Sequence, residues 1–229
     1  MTDSAPAESG VEPPPQAVAA VFGSRLGLAM RYAELLCGAG VVRGVIGPAE
    51  SARIWSRHLL NCAAVTELFD QGARVVDVGS GAGLPGIAIA LRRPDLRVDL
   101  VEPLQRRVAF LTDAVIELGL AAQVRIVRGR AEERATRDVV GQADWITARA
   151  VAPLDRLVRW CLPLLATSGR LALLKGASVG DEIEQHRAAM ARAGAVNPQL
   201  VRCGAGLIEP PVTVVTLDVA TPRLTRKGK

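Results

Sequence analysis

Residues 74–86 read Arg74-Val75-Val76-Asp77-Val78-Gly79-Ser80-Gly81-Ala82-Gly83-Leu84-Pro85-Gly86. Val75, Val76 and Val78 around a single acid are the composition of a buried strand, and the glycines behind them admit a tight turn in which backbone can approach a ligand closely. The apolar run at 84–91 then begins a helix, whose first amides point back at the turn. The same alternation continues outward: strands are expected at 97–101, 124–127, 145–148, 171–174 and 212–219, with helices at 104–118, 154–165 and 179–193. That order implies an α/β fold with a mostly parallel sheet covered by helices on both faces, and a ligand crevice at the carboxyl ends of the strands.

Upstream of this pattern the sequence changes character. Residues 1–16 hold Pro6, Pro13, Pro14 and Pro15 without periodicity and read as a disordered arm. Residues 17–36 are helical in pattern, with Val18, Val21, Phe22, Tyr32 and Leu36 on one face, and a glycine-rich break follows at 38–47. Pro48 suits a first helical position, and Trp55, Leu59, Cys62 and Phe69 recur at helical spacing up to Gly72. The expected organisation is an arm (1–16), a small N-terminal helical cap (17–72), an α/β domain (73–220) and a basic tail (221–229).

With 229 residues, 49% hydrophobic and 22% charged, the chain has enough material for one cored domain, which excludes a wholly disordered or fibrous protein. No apolar stretch approaches the ~18 residues of a membrane span. The acidic first sixteen residues resemble neither a secretory signal nor a transit peptide, so a cytoplasmic location is expected. Cys37, Cys62, Cys161 and Cys203 are scattered, and neither His58 nor His186 completes a zinc pattern, so reduced, mostly buried thiols and no metal are expected. The net charge is +5 and the pI 9.5. The arm contributes −3 and the tail +4, leaving +4 on the body, a balance compatible with an anionic partner such as nucleic acid and equally with an arginine-rich composition.

Gly81-x-Gly83-x-x-Gly86 satisfies a dinucleotide fingerprint, so the ligand is not fixed by the glycines alone. Two details favour S-adenosylmethionine over NAD. Asp77, two residues before Gly79, would crowd a pyrophosphate but suit a cationic, phosphate-free ligand. Glu102, at the end of the next strand, can accept hydrogen bonds from both ribose hydroxyls, a demand common to the two cofactors.

Asp77 to Gly86 (DVGSGAGLPG), with Trp55 to Leu60 (WSRHLL), Thr147-Ala148-Arg149-Ala150 and Gly169 to Gly176 (GRLALLKG), resembles the bacterial small-subunit rRNA guanine-N7 methyltransferases, the glucose-inhibited division protein B family, over residues 17–220. The resemblance implies a Rossmann-like class I methyltransferase with a seven-stranded, mostly parallel sheet. It also implies S-adenosylmethionine as donor, and as acceptor the N7 of guanine 527 in the 530 loop of 16S rRNA, presented as rRNA or as the small ribosomal subunit. Carried over by position, cofactor contacts fall on Gly79, Leu84, Glu102, Pro103, Leu104, Ala131, Glu132 and Arg149, joined by Asp77, Gly81 and Gly83 of the glycine turn. Leu84 stands where the family often has an aromatic residue, so it offers apolar contact without stacking.

Guanine N7 has a lone pair and no proton, so its methylation needs no general base, in keeping with a chain that has only two histidines. Arg149, at a strand end, is the candidate catalytic group, with an ion pair to Asp144 or Asp155 as its structural alternative. Arg53, Arg57 and Asn61 recur every four residues, with His58 adjacent, as a strip that could meet phosphates. Lys175 and Arg202 are further candidates for RNA contact. A methyltransferase of a small molecule or protein, an NAD-dependent oxidoreductase and an idle RNA- or partner-binding module stay open as alternatives, and a monomer is expected.

Overall fold

The computed structural model describes residues 10–149, 152–176 and 179–220. At its centre is β1 (Arg74–Val78), whose last four residues are all buried because helices cover both of its faces. The other strands are β2 (Arg97–Glu102), β3 (Val124–Arg128), β4 (Ala143–Arg149), β5 (Leu165–Leu174), β6 (Ala195–Cys203) and β7 (Val212–Val219). They form one seven-stranded sheet in the order β3-β2-β1-β4-β5-β7-β6. β1 pairs in parallel with β2 on one side and β4 on the other, and β7 runs antiparallel to β5 and β6. The chain winds outward through β2 and β3, then returns to lay β4 against β1. The strand order therefore reverses between β1 and β4, where such sheets open a crevice beyond their carboxyl ends.

On one face lie α1 (Ala17–Phe22), α2 (Leu26–Leu35), α3 (Leu60–Ala64), α4 (Gly86–Arg92) and α5 (Gln105–Glu117). Their apolar residues share a core with Val75, Trp145, Ala172 and Val214 of the sheet, so the cap is a layer over the sheet rather than a separate body. On the opposite face α6 (Arg134–Val140), α7 (Leu154–Cys161) and α8 (Val179–Ala193) pack on Val76, Val78, Ile146, Leu171 and Val215. Phe69 and Trp145 form a tilted aromatic pair with ring centroids 5.3 Å apart, and the Trp145 indole donates to Asp70 at 3.1 Å, fixing the end of the cap to the sheet.

Local details differ from the sequence expectation. The helix expected at 17–36 is interrupted by a 3-10 turn at Gly23–Arg25, where Gly23 takes φ +51°. The second cap segment is a 3-10 turn (Pro48–Arg53), a π-helical turn (Ile54–Leu59), α3 and a further 3-10 turn (Val65–Leu68). Residues 1–9 of the expected arm and the tail 221–229 lie outside the described residues. Glu12, also placed in the arm, carries defined contacts: its amide donates to Ser51 O, and its carboxylate accepts from the amides of Trp55 and Ser56 at 2.7 and 3.0 Å. β6 has no counterpart in the sequence reading, because Asn197-Pro198 looks like a break. The strand absorbs the pair as a register shift between Val196 and Gln199, on a sheet edge where the missing proline N–H is not needed.

Gly86 shows how tightly the turn after β1 is packed. A Cβ there would overlap Leu100 and come within 2.8 Å of Asp77 Oδ2. Gly86→Ala is expected to destabilise the fold by about 1–3 kcal/mol, the usual cost of overpacking, with weakened binding of S-adenosylhomocysteine. Urea unfolding and calorimetric titration check both effects.

Candidate active site

The glycine turn is built by backbone bonds that leave its outer surface free. The amides of Gly79 and Ser80 donate to Val101 O on β2 at 2.9 and 3.2 Å, and Ser80 O accepts from Gly83 and Leu84. Gly79 and Gly81 take φ +73° and +58°, conformations that glycine adopts without strain. Tyr32, buried on α2, donates its hydroxyl to Ala82 O at 2.7 Å, so the cap grips the turn from above. Gly83 serves the same contact: a Cβ there would fall 2.8 Å from the Tyr32 hydroxyl.

Beneath the turn Asp77 is fully buried, and its Oδ2 accepts from the Gly86 amide at 2.9 Å. Its Oδ1 has no hydrogen-bond partner among the described residues. Burial pushes this carboxyl up to about 7, against the opposing pull of the Gly86 amide and the positive charge of Arg149. Asp77 does not line the crevice, so the suggestion that it meets a cationic ligand directly is corrected: its geometry gives it the job of pinning the turn to the helix behind it.

The crevice itself has a volume of about 950 Å³ and lies beyond the carboxyl ends of β1, β2 and β4. Gly79, Gly81 and Leu84 of the turn line it, as do Glu102, Pro103 and Leu104 at the end of β2. The Glu102 carboxylate accepts from the amides of Gly81 at 2.9 Å and Leu104 at 3.0 Å, and Arg107 Nη1 stands 3.6 Å away. Each Glu102 oxygen thus holds one backbone amide and keeps a lone pair for a further donor. Leu104 is 47% exposed, an apolar side chain presented to the crevice. An acid able to take two hydroxyls, an exposed apolar contact and a glycine turn open to close approach fit the nucleoside of S-adenosylmethionine.

The loop after β3 is placed differently from expectation. Ala131 is buried in the core, Glu132 is exposed without lining the crevice, and Arg130 lines it instead. On the opposite wall stand Glu50, Arg57, His58 and Asn61 from the cap, Arg149 from β4, and Lys175 after β5. Arg149 donates from Nη1 to His58 Nδ1 at 2.6 Å, and His58 Nε2 lies 2.6 Å from Glu50 Oε2. Neither alternative ion pair forms: Asp144 accepts from the Arg74 amide, and Asp155 pairs with Arg159. Burial, then the charge of Arg149, lower the His58 pKa despite the hydrogen bond to Glu50. Burial would raise Glu50, but the His58 bond together with Arg53 and Arg57 outweighs it and leaves Glu50 lowered.

Glu50 also neutralises much of the expected cationic strip. Arg53 pairs with it at 2.8 Å and does not line the crevice, whereas Arg57, with its side chain 58% exposed, stands 4.0 Å from it. Lys175 lines the crevice, yet its Nζ is held by Ala152 O and Glu182 Oε1, each at 2.9 Å. Arg202 is exposed on β6, the outermost strand, away from the crevice. Sequence reading did not find Glu50, Arg107 or Arg130, and Glu50 had no detectable signal because a 3-10 turn followed by a π-helical turn breaks any helical spacing to His58. All four cysteines are free thiols, and burial pushes Cys62, behind this wall, up to about 11, far from a nucleophilic thiolate. Among the described residues no group of His, Cys, Asp and Glu could hold a metal, and no helix is long and apolar enough to cross a membrane.

The fold is shared with solved methyltransferases. A predicted O-methyltransferase from Agrobacterium tumefaciens superposes with a TM-score of 0.55 at 17% identity, over 72% of this chain and 82% of that one. Aeropyrum pernix fibrillarin, solved with natively bound S-adenosyl-L-methionine, gives 0.52 at 16% identity over 71% and 75%. Fold and site together define a Rossmann-like class I, S-adenosylmethionine-dependent methyltransferase. At the sequence level, the model of the family described as rRNA small subunit methyltransferase G matches residues 25–210. A protein of that name from Salinispora tropica is 57% identical over 97% of this chain and 93% of its own length, and one from a Mycobacterium species is 56% identical over 91% and 92%. The chain belongs to the rRNA small subunit methyltransferase G family.

The buried Asp77 gives a pH signature. Unfolded, its carboxyl titrates near 3.8; folded, near 7. Between those values the folded chain binds more protons than the unfolded one, so this group's contribution to stability falls as pH rises through the window and its penalty is complete above it. Asp77→Asn keeps an oxygen acceptor for Gly86 and removes the titration. Urea unfolding at pH 5 and pH 8 should show a smaller loss toward pH 8 in the variant than in the wild type; equal losses contradict the account.

Proposed function

We propose that this enzyme transfers the methyl group of S-adenosylmethionine to the N7 of guanine 527 in the 530 loop of 16S rRNA, acting as a monomer in the cytoplasm. The observation that carries the reading is the division of one crevice into a nucleoside-binding wall, made by Gly81, Glu102 and Leu104, and a wall of cationic side chains that includes Arg57 and Arg149. The exposed Arg57 and Arg130 at this opening suit phosphates of a large anionic acceptor. Large exposed apolar side chains, among them Val42, Ile116, Val139 and Leu200, sit on separate elements, which supports a monomer.

S-adenosylmethionine supplies an electrophilic methyl group on a positively charged sulfur. The chain's task is placement: Glu102 and the glycine turn hold the nucleoside, Leu104 covers an apolar face, and Arg149 stands at the crevice wall where a guanine O6 or the donor's carboxylate can accept from it. Guanine N7 presents a lone pair without a proton, so no side chain has to act as base. The only histidine at the crevice fits this, since His58 is already bonded through both nitrogens. Holding the reactants in line can contribute about 7–11 kcal/mol to lowering the barrier. The base has to be unpaired or extruded to reach such a crevice.

Small subunits lacking the modification, incubated with enzyme and labelled donor and mapped by chemical cleavage at N7-methylguanine, are expected to show one product in the 530 loop. Label incorporated elsewhere, or only into small molecules or protein, rejects the acceptor while leaving the donor site intact. Arg57→Ala should raise the KM for subunits and reduce the salt dependence of that KM by about one unit of log–log slope, without changing affinity for S-adenosylhomocysteine. A fall in donor affinity would place Arg57 on the other wall.

A further inference from the structure

The crevice wall contains a chain of three side chains drawn from three parts of the sequence. Glu50 comes from the 3-10 turn of the cap, His58 from the π-helical turn that follows, and Arg149 from the end of β4. Both contacts to the imidazole are 2.6 Å, and His58 is 6% exposed. A guanidinium only donates, so Nδ1 has to present its lone pair to Arg149; an ionised carboxylate only accepts, so Nε2 carries the proton toward Glu50. One neutral tautomer satisfies both partners, and Glu50 selects it. The charged groups facing the ring are Glu50 and Arg57 from the cap and Arg149 from the sheet, with Asp77 behind the guanidinium. A doubly protonated ring would turn an N–H toward Arg149 and break the link.

We propose that His58 is a positioning residue for methyl transfer, oriented by Glu50 through Nε2 and holding the Arg149 guanidinium in the crevice through Nδ1. The proposal rests on the reading of this crevice as the methyl-transfer site. Its physical basis is competition. Arg149 has a long, rotatable side chain, and the buried acid Asp77 on β1, which feels its charge, draws it away from the acceptor side. The uncharged nitrogen of His58 fixes one orientation without neutralising the guanidinium, so the charge stays available to the reactants. Because His58 belongs to the cap and Arg149 to the sheet, the same bond ties guanidinium placement to correct docking of the cap.

The two ring nitrogens can be separated by substitution. Asn places an oxygen close to the position of Nδ1 and can still accept from Arg149; Gln reaches toward Nε2 and Glu50 but leaves Arg149 without its acceptor. With methyl-deficient small subunits, His58→Gln is expected to lower kcat by about 100-fold, the scale of a misplaced reacting group, with KM for subunits nearly unchanged. His58→Asn should retain kcat within about threefold. Nitrogen-15 NMR of the arginine side chains gives a readout that does not depend on activity: distinct, slowly exchanging Nη resonances of Arg149, assigned by their loss in Arg149→Lys, should persist in His58→Asn and collapse in His58→Gln.

Equal kcat in wild type and His58→Gln overturns the proposal. So does a parallel loss in both variants that tracks a common fall in Tm, which marks a merely structural histidine. If Arg149→Lys methylates at the wild-type rate while the Arg149 resonances persist in His58→Asn and collapse in His58→Gln, the role given to Arg149 in the reaction fails, the proposal with it, and the bond between His58 and Arg149 stands as architecture only.

Discussion

The bond from the Gly86 amide to the buried Asp77 carboxylate is the point on which the rest of the site depends. It fixes the entry of α4 directly behind β1, and the turn between them then has to cross the strand end in a short, glycine-rich path. No other residue fits at Gly86, where Leu100 and Asp77 occupy the space of a Cβ. Once the turn is so placed, its Gly81 amide meets Glu102 at the end of β2, and two neighbouring strand ends become one binding wall. The cost is a carboxyl held in an apolar setting with one oxygen unpartnered among the described residues, a kind of strain that recurs where a protein builds a binding loop.

The cap completes this arrangement from the other side. Tyr32 bonds the turn, Glu12 caps the amides of Trp55 and Ser56 at the start of the turn that bears His58, and His58 reaches the sheet at Arg149. These polar contacts sit at the edge of a continuous apolar core in which cap and sheet residues interlock. Burial supplies most of the attachment, at roughly 25 cal/mol per Å² of apolar surface, and the polar bonds fix its register. The crevice is therefore a product of docking: one wall comes from the sheet ends and the other from the cap.

Charge is distributed to leave this opening distinct. Much of the arginine content is spent in local pairs, as in Arg74 and Arg125 on Asp99, Arg93 on Asp95, Arg43 on Asp113 and Arg170 on Asp218. The exposed pairs among these, such as Arg43 with Asp113, contribute little to stability, about 0–1 kcal/mol each, but together with the pairs on the buried Asp99 they flatten the field over the remote surface. Arg130, at the crevice, has no ion pair among the described residues, and Arg57 is only loosely engaged by Glu50. A net +5 is thus a poor guide to where an anionic partner would meet the protein; the pairing pattern is a better one.

Much of this architecture was legible in the linear chain because its determinants are local. Val75, Val76 and Val78 before a run of glycines specify strand and turn, and the alternation that follows specifies a parallel sheet with its crevice at the carboxyl ends. Glu102 and Arg149 could be picked out by their place at strand ends and Gly81 by the glycine turn, whereas Gly79, Leu84 and Leu104 came from the family resemblance. Sequence alone did not reveal β6, whose Asn197-Pro198 is tolerated only because the strand lies on an edge, nor the roles of Asp77, Glu50 and Lys175. Those roles depend on which side of a strand or turn faces the core and on which distant chain segment arrives opposite. The sequence contains Glu50, His58 and Arg149 but singles out only the last two; only the packing of a π-helical cap turn against the end of β4 decided that the three form one chain of hydrogen bonds, because the distance between residues 91 positions apart is set by the core between them.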